Sequence, residues 1–200
     1  MFAVLALLAL AASEPVRPEC SHDREAMLAL DVVAFDQTQG KGWRALEAAH
    51  CFKEGAELLR EWQARHRGDF DPARPFDRLM LRSLRWHEGQ MWADGGRHDL
   101  ALPIFESTRQ QGDSSPDVAW NFYVDGPLAF LRRDRPALET AMGQLAAVPA
   151  PPGWGNARGA DGKPISMPWP QNLGALQNLL SCWKQPYLIA YECPDTETTR

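Results

Sequence analysis

The chain carries none of the short signatures that announce a familiar enzyme. It has no G-x-S-x-G nucleophile elbow, no G-x-x-x-x-G-K-[ST] phosphate loop and no H-E-x-x-H zinc pair. His87 and Glu88 are adjacent, but no second histidine stands where a zinc helix needs one. No pair of cysteines has C-x2-C or C-x4-C spacing, which disfavours a structural zinc site, and no cofactor motif is present. Basic excess is missing too. The formal net charge is −5, so nucleic acid is not an expected partner. Beyond the N-terminus no apolar run approaches the roughly 20 residues that a membrane-spanning helix requires. Strand-like alternation is scarce, so the expected fold class is all-α.

Charge is also absent from the first thirteen residues. Phe2 to Ala12 form an apolar run of the length of a signal-peptide core, followed by small residues at Ala11, Ala12 and Ser13. Residues 1–13 are therefore expected to be a signal segment, with cleavage after Ser13, and residues 14–200 a single exported domain, periplasmic or extracellular. An n-region of this kind ordinarily carries Lys or Arg, and here only the Met1 amino group is positive.

What is present agrees with export. There are four cysteines, Cys20, Cys51, Cys182 and Cys193. An even count in an exported chain permits two disulfides, with three connectivities possible. Cys20–Cys51 with Cys182–Cys193 is preferred, because each bridge then ties a terminal segment to its nearest helix. A nucleophilic role for Cys51 beside His50 is disfavoured, since adjacent residues in a turn rarely point together.

The body of the chain reads as helices and short turns. Ser21 is placed to cap a first helix carrying Ala26, Met27, Leu30, Val33 and Ala34 on one face. Trp43, Leu46 and Ala49 mark a second segment. Phe52, Gly55, Ala56, Leu59 and Trp62 give a third its apolar stripe. Phe76 to Ala93 suits a longer helix, stopped by Gly95 and Gly96. Asp99 is expected to cap the next one, and Ser115-Pro116 to open another that Gly126-Pro127 should kink or split. Asp134 caps a helix bearing Leu138, Ala141, Met142 and Leu145. Residues 148–170 are rich in proline and glycine, without periodicity, and read as a long surface loop containing Trp154 and Trp169. Leu173 to Trp183 form a last helix, with Tyr187 to Tyr191 as a closing turn.

Three times, a longer aromatic-bearing helix is followed by a tight turn and a helix with a small residue near its start. The turns are His50 to Gly55, Gly95 to Ala101 and Arg133 to Ala137. Over residues 36–148 this resembles the tetratricopeptide-repeat family, with Trp43, Leu46, Gly55 and Leu59 as one unit. Gly96, Ala101 and Phe105 look like part of a second, and Leu131, Ala137 and Ala141 part of a third. Pro103 and Pro127 depart from the family pattern. The resemblance implies an array of antiparallel helical hairpins whose first helices line a groove that binds a protein or peptide.

Arg74, Arg78, Arg82 and Arg85 recur at helical spacing, so the latter three share a face. If the resemblance holds, Arg78, Arg82 and Arg85 face the groove and receive an acidic partner, with Asn121 adding amide hydrogen bonds. The expected function is non-catalytic binding of a protein or peptide. A purely structural, disulfide-stapled protein is the alternative, and an enzyme of unfamiliar type, with His87 and Glu88 as its first suspects, comes third.

Overall fold

The computed structural model describes residues 18–156, 158, 162–164 and 167–193. The expected signal segment lies outside them. Among the described residues the regular elements are helical and no strand forms. In chain order they are α1 (Arg24–Leu28), α2 (Gly42–Ala48), α3 (Phe52–Arg65), α4 (Pro75–Asp94), α5 (His98–Glu106), α6 (Ser115–Leu131), α7 (Arg135–Ala147), α8 (Leu173–Ser181) and α9 (Tyr187–Tyr191). A short π-helical stretch, Val33–Gln37, joins α1 to α2.

Neighbours in sequence pack as neighbours in space: α2 on α3, α3 on α4, α4 on α5, α6 on α7 and α7 on α8. The apolar stripe of α3 explains its place, since Gly55, Ala56, Leu59 and Trp62 are all buried. Gly55 lets α4 approach closely, because a methyl group there would collide with the Met91 side chain. Gly89 does the same for α5, beneath the ring of Phe105.

One turn is built three times. His50, Gly96 and Arg133 have φ of 55°, 73° and 58°, the left-handed region, and close α2, α4 and α6 respectively. In each case the next amide reaches back five residues to a carbonyl: Cys51 to Leu46 at 2.8 Å, Arg97 to Trp92 at 2.8 Å and Asp134 to Ala129 at 2.9 Å. This is the left-handed helix stop, in which otherwise orphaned carbonyls gain donors. Only the middle copy uses glycine.

Several boundaries differ from the expectation. Asp23, not Ser21, caps α1, accepting from the Ala26 amide at 3.0 Å. That helix ends at Leu28. Asp31 then accepts from the Ala34 amide at 2.9 Å and turns the chain, so Phe35 is buried while Val33 is 58% exposed. Ser114 rather than Ser115 caps α6, and α5 starts at His98, with Asp99 engaged by Arg97. The larger correction concerns Gly126-Pro127. Helix α6 runs through both residues unbroken. A proline inside a helix costs about 3 kcal/mol, but α6 is clasped by α7 and α8, and Val124, Leu128, Phe130 and Leu131 around it are buried. Gly126 is the point of closest approach, where a methyl group would fall 2.2 Å from Leu176 Cδ2. Trp183 lies past the end of α8 and sets its ring edge-on to Phe130 at 5.3 Å.

Both favoured cysteine pairs are joined. The Cα atoms of Cys20 and Cys51 are 5.4 Å apart, those of Cys182 and Cys193 6.0 Å apart, and each pair is disulfide-bonded. In the long connection between α7 and α8, Trp154 and Trp169 meet edge-on at 4.7 Å. Trp169 donates to the Val148 carbonyl at 2.8 Å and Trp154 to that of Met167 at 2.9 Å.

Candidate functional site

The residues expected to bind a partner are placed as follows. Arg78 folds back on its own helix start, donating to the carbonyls of Pro72 and Ala73 at 3.0 and 2.9 Å. Arg85 pairs with buried Glu88 at 2.8 Å and reaches Ser107 at 3.2 Å. Arg82 lays its guanidinium over the Trp120 ring at 4.2 Å. Asn121 exchanges two hydrogen bonds with the backbone of Gln110, at 2.8 and 2.9 Å, and so fastens the α5–α6 connection. Arg78, Arg85 and Asn121 are thus hydrogen-bonded within the chain, whereas Arg82 has the ring contact alone and its buried Nε has no hydrogen-bond partner among the described residues. Glu88 also accepts from Gln63 at 3.1 Å on the α3 side, and no hydrogen bond joins it to its neighbour His87 among the described residues.

A different set of side chains surrounds open space. A cleft of about 560 Å³ lies between α2, α4 and α9. Spacing explains which residues reach it. On α4, His87, Gln90 and Asp94 stand three and four residues apart and share a face. On α2, Trp43 and Glu47 do the same, as do Leu188 and Tyr191 on α9. His50, Phe52 and Glu192, at the ends of their elements, complete the rim.

At one side of this cleft a buried acid holds an imidazole. Asp36 is 0% exposed. Its Oδ1 accepts from Trp43 Nε1 at 2.8 Å and stands 2.7 Å from His87 Nδ1, and Gln37 donates to its Oδ2. Burial pushes the Asp36 carboxyl up, but the hydrogen bond and charge of His87, with the Trp43 and Gln37 donors, more than offset this and hold it below the ordinary value. An ionised carboxylate can only accept, so Nδ1 of His87 carries the proton. Nε2 is then the ring nitrogen left for the cleft, and it has no hydrogen-bond partner among the described residues. Gly42 makes this arrangement possible. Its φ is 51°, and a methyl group there would fall 2.2 Å from the Phe35 carbonyl oxygen, so only glycine lets α2 start tightly enough to lay Trp43 on Asp36.

The cleft also gathers acids. Glu47, Asp94 and Glu192 line it from three elements. Arg44 stands 3.5 Å from Glu47, stacks 4.3 Å above Trp43 and donates to the Asp36 carbonyl. Asp94 and Glu192 have no hydrogen bond or ion pair among the described residues. Burial, then the charges of Glu47 and Glu192, push the Asp94 carboxyl up to about 8. Burial also raises Glu47. Beneath them the Tyr191 hydroxyl bonds to that of Tyr123. The Tyr187 hydroxyl is buried without a partner, and the Gln90 amide and the Asp94 charge act on it without reaching hydrogen-bond geometry.

Sequence patterning draws attention to His87 but couples it to the adjacent Glu88, and it does not single out Asp36, Asp94 or Glu192. One signal exists at Asp36. No Lys or Arg stands three or four residues to either side of it, so no local partner would solvate it. The metal geometry points elsewhere: among the described residues one close set of ligand atoms exists, Cys20, Cys51 and Glu54, and its sulfurs are spent in the disulfide. No family model matches this sequence, and neither the curated proteins nor the solved structures contain a significant match.

Proposed function

We propose that the protein is an exported helical module that binds a protein or peptide partner without catalysis, and that the partner seats in the cleft between α2, α4 and α9. The observation that carries this reading is the gathering, from separate elements, of polar groups left without partners: His87 Nε2, Asp94 and Glu192. Trp43, Phe52 and Tyr191 give the same cleft aromatic walls. Such a mixture of aromatic surface and convergent polar groups is the usual composition of a recognition site. Export draws support from the two disulfides. No helix among the described residues is long and apolar enough to cross a membrane. The repeat-like reading draws support from the three equivalent turns at His50, Gly96 and Arg133. The arginine face of α4, where Arg78 and Arg85 already have internal acceptors, is the poorer candidate for a partner.

Capture of partners from the native envelope tests the reading. The wild-type chain, His87→Ala/Gln90→Ala and Arg78→Ala/Arg82→Ala/Arg85→Ala are compared, with circular dichroism to confirm folding. The cleft variant is expected to lose the partner that the arginine variant keeps. A partner lost only with the arginines would return the site to their face of α4. Failure of all three chains to retain any partner would favour the purely structural role.

A further inference from the structure

We infer that the group this cleft receives is a cationic side chain of the partner, an ammonium or guanidinium. The inference rests on the cleft being the partner site, and it comes from where the acids sit. A helix gathers partial negative charge at its C-terminus, where Lys, Arg or His are the favourable side chains. Three helices end at this cleft, and each does the opposite. Glu47 is in the last turn of α2, Asp94 is the last residue of α4, and Glu192 directly follows α9. None of the three helices has a basic residue in its last turn. Three helix-end carboxylates thus bring one sign of charge to one cavity, and the C-terminal dipole of the long helix α4 adds to it.

Within the chain this charge is only partly answered. Arg44 serves Glu47, while Asp94 and Glu192 have no cation among the described residues. A second observation points to the same place. The Tyr187 side chain is 1% exposed, and its hydroxyl, unpartnered, lies under the influence of Asp94 and Gln90, both of which line the cleft. The geometry distinguishes an organic cation from a metal ion. The carboxylates do not converge to ligand spacing, but the cavity has room and aromatic walls on which a flat or alkyl cation can lie. Arg44, stacked on Trp43 at the rim, already shows how these walls receive a guanidinium.

A cation entering here takes over the work that protonation of Asp94 does in the empty cleft, so binding expels that proton. The groups facing Asp94 are Glu47 and Arg44 from α2, His50 from the turn, His87 and Gln90 from its own helix, Tyr187 and Tyr191 from α9, and Glu192 beyond it. Of these, Glu47 and Glu192 are the charges that resist ionisation.

Calorimetric titration of the full exported chain with capped penta-lysine, penta-arginine and penta-glutamate tests the inference. One or both cations bind, which tells ammonium from guanidinium recognition, and penta-glutamate does not. Glu47→Gln/Glu192→Gln weakens cation binding by about tenfold or more. Glu57→Gln/Glu139→Gln, an equal charge change on surface ion pairs elsewhere, alters it by less than about twofold. Binding tightens from about pH 6.5 to about pH 8.5, across the Asp94 titration, and Asp94→Asn loses that dependence. Equal weakening by the two double variants overturns the inference, as does binding of neither cation. If neither cation binds while His87→Ala/Gln90→Ala still loses the native partner, the cleft reading stands and the cation falls.

Discussion

His87 Nδ1 lies 2.7 Å from Asp36 Oδ1, a contact across 51 residues of chain that ties the π-helical stretch before α2 to the middle of α4. It determines which nitrogen of the imidazole meets the cleft. It also gives a fully buried carboxylate the donors it needs, together with Trp43 and Gln37. A half-satisfied buried acid is worse than none, so this contact is central to both fold and site.

Removal of its members should therefore be costly. Asp36→Ala orphans the Trp43 and His87 donors and should destabilise by about 3–5 kcal/mol. His87→Ala, which removes one of three donors, should cost about 1.5–3 kcal/mol. The pH dependence follows from the depressed Asp36 carboxyl. A folded-state value below the unfolded one confers stability that is present above the unfolded value of 3.8 and lost as pH falls through the lower, folded value. Urea denaturation should show the wild type ahead of Asp36→Asn at about pH 7, with the gap closing below about pH 4. A gap that persists unchanged into strong acid would mean that the carboxylate's charge is not what stabilises the fold.

The same residues show how much of the molecule is legible in its sequence. The stripe of α3, the extent of α4, the Asp134 cap and the cysteine pairing are legible because each depends on local spacing or on chain ends. Val33 departs from its apolar pattern because Asp31 captures the Ala34 amide, a local competition that overrides periodicity. Pro127 departs from its pattern because helix breaking is a local cost, whereas the clasp of α7 and α8 that overcomes it is tertiary. The cleft is invisible for a related reason. Glu47, Asp94 and Glu192 are each ordinary helix-end acids, and only the packing of α2, α4 and α9 makes three such ends meet. The arginine spacing, by contrast, is plain in the sequence, but not the acceptors that engage Arg78 and Arg85 or the Trp120 ring under Arg82.

Two glycines with the same backbone geometry should respond differently to alanine. Gly96 has φ of 73° and nothing within 4 Å of the place a methyl group would take, so Gly96→Ala carries only the left-handed penalty, about 1 kcal/mol. Gly42 adds the collision with the Phe35 backbone. Gly42→Ala should cost about 3 kcal/mol or more, and should also disturb the indole of Trp43 over Asp36, visible as a changed tryptophan emission. Equal losses of stability would show that α2 can shift away from Phe35 freely.

The disulfides bear on both the proposed export and the proposed partner site. Cys193 immediately follows Glu192, and its bond to Cys182 closes a short loop that includes all of α9, the helix supplying Leu188 and Tyr191. Loop-closure entropy puts the Cys182–Cys193 bond at about 3 kcal/mol and the longer Cys20–Cys51 loop slightly higher. Cys182→Ser/Cys193→Ser should lower the melting temperature and weaken partner capture together, while Cys20→Ser/Cys51→Ser should lower mainly the first. Intact mass of the exported protein should correspond to a chain beginning near Glu14 with no free thiol. A chain retaining Met1 with four reduced cysteines would remove the export reading.

Asp94 offers the sharpest test of the acidic cleft, because its expected signature has the opposite sign to that of Asp36. Its carboxyl is pushed up to about 8 from an ordinary 3.8, by burial first and then by Glu47 and Glu192. A folded value above the unfolded one means that the native state holds a proton the unfolded chain releases between those pH values. The associated stability is complete below the unfolded value and is lost as pH rises through the folded one. Wild-type stability should therefore decline from about pH 4 to about pH 8 by a component that Asp94→Asn lacks. At about pH 8 the asparagine variant should be the more stable chain, by about 1–3 kcal/mol once solvent screening of a half-buried group is allowed for. Glu192→Gln, which relieves one of the two repulsions, should move the Asp94 titration downward and recover part of that gain. Parallel pH profiles for wild type and Asp94→Asn would show that the three helix ends do not press on one another, and the electrostatic basis for a cationic partner would go with them.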